Sequence, residues 1–397
     1  MGQPFKVPVW LLIFIAILPQ FSETVYTPAL PDIAHYLNVS ESMAEYTLSI
    51  YLLGLAIGTL FWGRLSDRIG RRPCLLMGTL IFVFGCLGCF LSCSIELLMI
   101  SRFIQALGGS TGSVLGQSIG RDAFKGSERG KVFSLVGSAI SFAPAVGPVL
   151  GGIMDEVFGW SSIFLLLTGY GLFVFFLNYK YLPETYSPPS GESGQFIALF
   201  RSMVLDKTLM MRALFVGMLL GIMFSYYSEG SFYLIELLNL SPKVYGASFV
   251  LLALSGTTGA LWARRLHNTL KNDQIIERGL ILFWGGTIVF LMGIGICSLL
   301  NMGYCYFIGV TLVSMMVLCF SCSMIIPSTM SIALEKYEYA TGTASSFFGF
   351  LYYAIVSVAT FLMGVIHDGT LIVMPIYFLV LSSLCLFIHF RYLRKGT

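Results

Sequence analysis

The chain has 397 residues, of which 56% are hydrophobic and only 11% charged, and its mean hydropathy is +0.83. Soluble domains carry about a quarter charged residues, so this composition excludes that class and describes a chain that crosses a bilayer repeatedly. The net charge of +3 belongs to loops at one end of the apolar runs and implies no nucleic-acid partner.

A helix of about 20 residues spans a hydrocarbon core of about 30 Å. Runs of that length occupy 9–30, 46–62, 75–93, 97–119, 132–153, 163–181, 214–235, 245–262, 279–299, 304–326, 342–365 and 371–390, which predicts twelve membrane helices. With the N-terminus inside, every one of the 23 Lys and Arg except Arg102 and Lys243 falls on the inner side. That asymmetry is the positive-inside tendency, and it places both termini in the cytoplasm. The first run has no small-residue cleavage site and leads into further spans, so it reads as a helix and not as a removed signal peptide. The cysteines lie mostly within apolar runs, where they act as small hydrophobes; Cys319 and Cys322 have a C-x-x-C spacing but fall mid-helix. His35, His267, His367 and His389 lie at loops and helix ends without metal-ligand spacing, so no metal site is expected.

An ionisable group inside a span is expensive and usually faces a cavity, which singles out Glu23, Arg102 and Glu229. Glu23 lies fifteen residues past Pro8 and Glu229 fifteen past Leu214, which predicts similar depths of about 22 Å from the inner helix starts. Carboxyls in a partly dry cavity can take a proton and a cation in alternation. The other place for either is the outer headgroup region. Arg102 and Gln105 are three residues apart and share a helix face, where the permanent charge can hold an anion or act on a carboxylate. Snorkelling to the headgroups is the alternative for Arg102. Gly108, Gly112 and Gly116 repeat at four-residue spacing and permit close helix contact.

Between the second and third runs stands Gly63-Arg64-Leu65-Ser66-Asp67-Arg68-Ile69-Gly70-Arg71-Arg72-Pro73. This turn resembles the loop between helices 2 and 3 of the major facilitator superfamily of secondary transporters. The resemblance implies a latch in which Asp67, Arg68 and Arg71 face the inner start of helix 11, with Gly63 and Gly70 allowing close approach. Arg102 to Gly109 is similar to the superfamily's helix 4 signature. Ala143-Pro144-Ala145-Val146-Gly147-Pro148-Val149-Leu150-Gly151-Gly152 resembles the helix 5 motif typical of its antiporters and exporters. In physical terms Ala143, Gly147 and Gly151 form a small-residue stripe, and Pro144 and Pro148 bend the helix. Pro28 to Ile33, Leu182-Pro183-Glu184-Thr185 and Gly342 to Ser346 are similar to segments of the twelve-helix drug:proton antiporters of the bicyclomycin and chloramphenicol resistance group. In that group the helix 1 acid stands where this chain has Thr24; here the acid is Glu23, about 100° round the helix.

Three short segments recur in order about half a chain apart: Phe21-Ser22-Glu23 and Tyr227-Ser228-Glu229, Leu37-Asn38-Val39-Ser40 and Leu238-Asn239-Leu240-Ser241, Trp62-Gly63-Arg64 and Trp262-Ala263-Arg264. They predict an all-α membrane fold of two six-helix bundles in a parallel repeat, residues 1–182 and 212–397, joined by a polar linker over 183–211. The linker starts with Ser187-Pro188-Pro189-Ser190-Gly191; then Phe196, Leu199, Phe200, Met203 and Val204 share a face, as an interfacial helix or as the first turns of helix 7.

The resemblance implies a monomeric antiporter of the bacterial inner membrane that exports amphipathic small molecules against a proton gradient, with no cofactor. Glu23, Glu229, Arg102 and Gln105 are the expected proton and substrate residues. A dedicated exporter of one metabolite, such as a siderophore, is the alternative, followed by an uptake symporter. A membrane enzyme or receptor finds little support: the histidines lack metal-ligand spacing and the outer loops are too short for a ligand-reading domain, while the missing phosphate-binding loop argues against an ATP-driven pump.

Overall fold

The computed structural model describes residues 7–186, 194–337 and 341–394. Among them all regular structure is helical. In chain order the helices are α1 (Val9–Thr24), α2 (Leu30–Leu37), α3 (Glu41–Ile69), α4 (Arg71–Phe90), α5 (Ile95–Ala123), α6 (Gly126–Phe158) and α7 (Ser161–Tyr181), then α8 (Gly194–Leu205), α9 (Lys207–Ser231), α10 (Pro242–Leu266), α11 (Asn272–Leu299), α12 (Tyr304–Glu335), α13 (Thr341–Ile366) and α14 (Val373–Ile388). A 3-10 turn over Thr27–Ala29 joins α1 to α2, and a π segment over Phe232–Leu237 extends α9.

Among the described residues eleven stretches are long and apolar enough to cross a membrane. The remaining predicted span is α5, whose apolar window is diluted by Glu96, Arg102, Arg121, Asp122 and the glycines. Its 29 residues still measure about 43 Å along the axis, enough to cross. The glycines explain its packing. A Cβ on Gly108 would run into the backbone of Phe82 and Gly78 in α4, and one on Gly112 into the Ile15 carbonyl in α1. Only glycine lets α5 sit this close to both neighbours.

The helices form two six-helix bundles, each with its own apolar core. The repeat seen in the sequence is a structural one at Leu37–Ser40 and Leu238–Ser241. Asn38 and Asn239 take the left-handed conformation at φ 53° and 57°, and Ser40 and Ser241 cap the next helix by accepting from the Met43 and Val244 amides. The third repeat diverges: Trp62 is buried and donates to the Leu107 carbonyl at 2.7 Å, whereas Trp262 is half exposed.

Two helix pairs carry the contact between bundles, α3 with α13 and α6 with α10. At α6 the helix 5 motif shows why: a Cβ on Gly152 would strike the Pro242 carbonyl and one on Gly246 of α10 the Pro148 carbonyl, while Gly151 gives the same close fit to the Val25 carbonyl within the first bundle.

Ser187 to Gly191 lies outside the described residues. Beyond it, α8 is separate from α9, because Asp206 caps α9 by accepting from the Thr208 and Leu209 amides at 3.0 and 3.2 Å. Met203 is buried, Leu199 and Phe200 pack on the second core, and Phe200 meets Phe347 edge-on. Val204 points away and is exposed, so it does not share that face as expected.

Burial pushes the Asp206 carboxyl up, but hydrogen bonds from Lys336, the Leu209 amide and Tyr337 outweigh it and hold the carboxyl below its usual range. A lowered value contributes stability above the unfolded-state pKa of about 3.9 and loses it as pH falls through the folded value. Asp206→Ala is expected to cost about 1 kcal/mol at neutral pH and Asp206→Asn less, read as thermal midpoints of the detergent-solubilised protein. The wild-type advantage should shrink below pH 4.

Candidate functional site

Arg102 has no exposed surface, although it sits only seven residues into α5. Its guanidinium stacks between the Tyr26 and Tyr51 rings, 3.9 and 4.1 Å from their centroids. One Nη donates to Gln105 Oε1 at 2.6 Å, and Gln105 in turn reaches the Cys86 thiol. Arg102 therefore does not snorkel; the two ring faces replace part of its hydration. Its Nε and other Nη are buried without a hydrogen-bond partner among the described residues, as is Oε2 of Glu23 on α1. Glu23 is buried at 3% exposure and lies within electrostatic range of Arg102 and of Tyr51, Tyr227, Tyr352 and Tyr353. Positive charge, an acid and unspent donors thus converge at one point of the interior.

Beside this centre, towards the arginine-rich end, lies a cavity of about 260 Å3. α1, α5 and α6 supply most of its wall, including Gln20, Ser113, Gln117 and Val136, while α13 closes it with Tyr352 and Tyr353. The span aromatics Phe21, Tyr26, Phe224, Tyr226, Tyr227, Tyr352 and Tyr353 are all buried or half-buried. Away from the arginine-rich end, the Ser357 hydroxyl donates to the Ser49 carbonyl at 2.7 Å and Tyr46 packs on Phe361, which seals α3 against α13.

Glu229 is not part of this centre. Its carboxylate meets His367 Nδ1 at 2.9 Å, just past the end of α13, and the ring's Nε2 lies 2.9 Å from Glu41 on α3. Glu45, also on α3, has no exposed surface and an oxygen 4.0 Å from Nδ1. The equal depth expected for Glu23 and Glu229 fails because α9 starts at Lys207, well before Leu214. Counted from the left-handed asparagines, Glu23 precedes Asn38 by 15 residues and Glu229 precedes Asn239 by 10, so Glu229 lies about 7 Å nearer that end. Chain spacing does not point to His367 or Glu45 as members: His367 is 138 residues from Glu229, and Glu45 stands at the edge of a predicted span.

At the arginine-rich end, Asp67 pairs with Arg71 at 2.6 Å, and Arg71 reaches Asp122 of α5 at 3.3 Å. Gly63 faces Ser346 of α13 so closely that a Cβ would lie 2.9 Å from its hydroxyl, and Arg121 lies against Gly342 at the start of α13. Arg64, Asp67 and Arg71 line one crevice with Gly342, Thr343 and Ser346. Arg68 is exposed and has no ion-pair partner among the described residues, which separates it from the expected latch. Gly70, at φ 100°, ends α3 and admits the Glu184 carboxylate. That carboxylate accepts from the amides of Arg71 and Arg72 and so caps the positive start of α4. Tyr186 donates to the Asp67 carbonyl. The segment after α7 is thereby tied to the charged turn, a link that Leu182 to Thr185 did not reveal in sequence.

A family model described as Major Facilitator Superfamily matches residues 12–361. The chain belongs to the major facilitator superfamily. It is 33% identical over 371 residues to an "Uncharacterized transporter" of Rickettsia felis, covering 92% of this chain and 91% of that one. It is 26% identical over 342 residues to "Multidrug resistance protein D" of Escherichia coli, covering 85% and 84%. Among solved structures it resembles a D-xylose-proton symporter with a TM-score of 0.76, 14% identity and 95% and 96% coverage, a likeness of fold alone. The protein is thus a multi-pass secondary transporter of small molecules and not an enzyme.

The charged turn is held at the start of α4 by Glu184. Glu184→Ala removes the acceptor for two amides at the start of α4 and is expected to cost about 1 kcal/mol, lowering the thermal midpoint. Glu184→Gln, which keeps one acceptor oxygen, should recover part of the loss; equal midpoints for all three proteins would remove Glu184 from the turn's support.

Proposed function

We propose that this protein is a proton-coupled exporter of amphipathic small molecules that works by alternating access in a bacterial inner membrane. The observation that carries the reading is the buried centre of Arg102, Tyr26, Tyr51 and Glu23 beside a cavity walled by amides and aromatics from both bundles. Glu23 serves as an exchangeable acid, Arg102 and Gln105 set the field around it, and Tyr352 and Tyr353 offer apolar faces with polar tips. The name of the Escherichia coli relative supports efflux. The arginine-rich end is the cytoplasmic one under the positive-inside tendency, which puts both termini inside. Residues 1–182 and 212–397 are the two rocking units and 183–211 their linker. The Asp67–Arg71 turn and the contacts of Gly147, Pro148, Gly151 and Gly152 are the moving surfaces.

A dedicated exporter is a second reading with its own support. About 260 Å3 is slightly below the 300–1,000 Å3 usual for ligand pockets, which suits one compact substrate.

The test is compound-induced collapse of a pH gradient in liposomes holding the purified protein, with cationic, neutral and siderophore-like compounds. Several unrelated compounds should dissipate the gradient, and Glu23→Gln should abolish the effect. Activity towards a single compound would favour the dedicated exporter, and no activity despite ligand binding would refute proton exchange through Glu23. Arg102→Lys keeps the charge but loses planar stacking worth ~1–2 kcal/mol at a desolvated site, so transport should fall about tenfold.

A further inference from the structure

We propose that Glu41, Glu45, Glu229 and His367 form a second proton-binding site, one that locks the two bundles together at the end away from the arginine-rich turn. The proposal rests on proton-coupled export and adds to it the residues that tie the proton to the closure of one gate.

The geometry of the ring is the starting point. His367 Nδ1 lies 2.9 Å from Glu229 and Nε2 lies 2.9 Å from Glu41. A neutral imidazole has one N–H, so it would turn a lone pair towards one of these carboxylates. The two contacts are attractive together only when the cluster holds an extra proton, on the ring as an imidazolium or on a carboxyl that donates to the bare nitrogen; the imidazolium serves both carboxylates at once. Glu229 and His367 belong to the second bundle and Glu41 and Glu45 to the first, so the protonated ring spans the boundary between them.

Charge balance points the same way. The groups facing the ring are Glu41 and Glu45 from α3, Glu229 from α9 and Asp368 next to it in the chain, with the Phe232 ring packed nearby. A carboxylate oxygen each of Glu45 and Glu229 and a ring nitrogen of His367 lie within 4.8 Å of one another, and neither oxygen of the fully buried Glu45 has a hydrogen-bond donor among the described residues. Bringing α3 against α9 and α13 therefore crowds acids around one base. Proton uptake relieves that repulsion, so closure and proton binding favour each other.

His367, beyond the last residue of its span, shows the expected effect: the hydrogen bond with Glu229 raises its pKa above the ordinary value, with burial opposing and Glu41 adding to the rise. A group that binds its proton more tightly in the closed form favours closure at acid pH. That preference is lost as pH rises through the closed-form value, upward of about 6.5. A proton arriving from the acidic outer side thus shuts the gate behind itself, the order an exporter driven by inward protons needs. His35, exposed, and Glu236, part-buried, lie 2.8 Å apart across the same boundary and add a weaker clasp.

The experiment measures the gate without any substrate. Spin labels at Tyr36→Cys and Leu300→Cys, exposed on the first and second bundle at this end, report their separation in liposomes by electron–electron resonance, with other reactive cysteines replaced. In the otherwise unaltered protein the short-distance population should dominate at pH 5.5, and the short-to-long ratio should fall by up to tenfold per pH unit as the pH is raised. His367→Gln should lose the pH dependence and most of the short population. Should that variant not fold, Glu45→Gln, which removes one negative charge, should keep the short distance to higher pH. A pH-independent separation in the parent protein would overturn the proposal, as would an unchanged profile in both variants. Closure that is abolished by a chelator and insensitive to pH would replace the proton by a divalent cation and equally overturn it. Because no transport is measured, pH-dependent closure with no export would sink the exporter reading and leave this site standing.

Discussion

A guanidinium with no exposed surface constrains everything packed around it. A guanidinium taken out of water must be surrounded with electron-rich faces and acceptors. Tyr26, Tyr51 and Gln105 meet that demand, and each comes from a different element. The 3-10 turn that follows Tyr26, the position of α3 beside α1, and the glycines that let α5 press between α1 and α4 all hold these partners in place. The unspent donors of Arg102 and the open oxygen of Glu23 are what this arrangement leaves over for chemistry.

Around that fixed centre the two ends of the molecule use different physics. At the arginine-rich end the contacts are exposed or half-exposed ion pairs between neighbouring segments, Asp67 with Arg71 and Arg71 with Asp122, together with a capped helix start. Such pairs are individually weak and easily rearranged. At the other end the bundles meet through glycines against backbone carbonyls, along α6 and α10, and through a buried acid–base cluster between α3, α9 and α13. Backbone contacts of that kind tolerate no added side chain, whereas the cluster responds to a single proton. The transporter thus has one polar end held by exchangeable ion pairs and one tightly packed end with an acid–base cluster at the bundle boundary.

Much of the fold was legible because the bilayer imposes length and polarity on every span. The helices are apolar for about 20 residues, the arginines fall at one end, and the asparagine–serine turn recurs at the same place in both bundles. Eleven spans stand out by hydropathy, while α5 is recognised by its glycine spacing and by Arg102. The centre was legible in part for the same reason: a charge within a span is conspicuous. What stayed hidden depends on distance between residues far apart in the chain. Glu184 reaches a helix start 113 residues away, and His367 joins Glu229 and Glu41 only after folding. Spacing along the chain cannot reveal a cluster whose members lie on three helices from two bundles.

The repeat itself explains why Glu23 and Glu229 are not equivalent. Duplicated segments keep what the backbone needs, as the left-handed Asn38 and Asn239 and the capping Ser40 and Ser241 show. They are free to diverge where only side chains matter. The five-residue difference in spacing carries Glu229 more than one turn further towards the end, out of reach of an arginine and into reach of a histidine. One acid therefore faces a permanent positive charge and the other a titratable one. Two similar tripeptides have become two different settings, one against a buried guanidinium and one against a histidine at the bundle boundary.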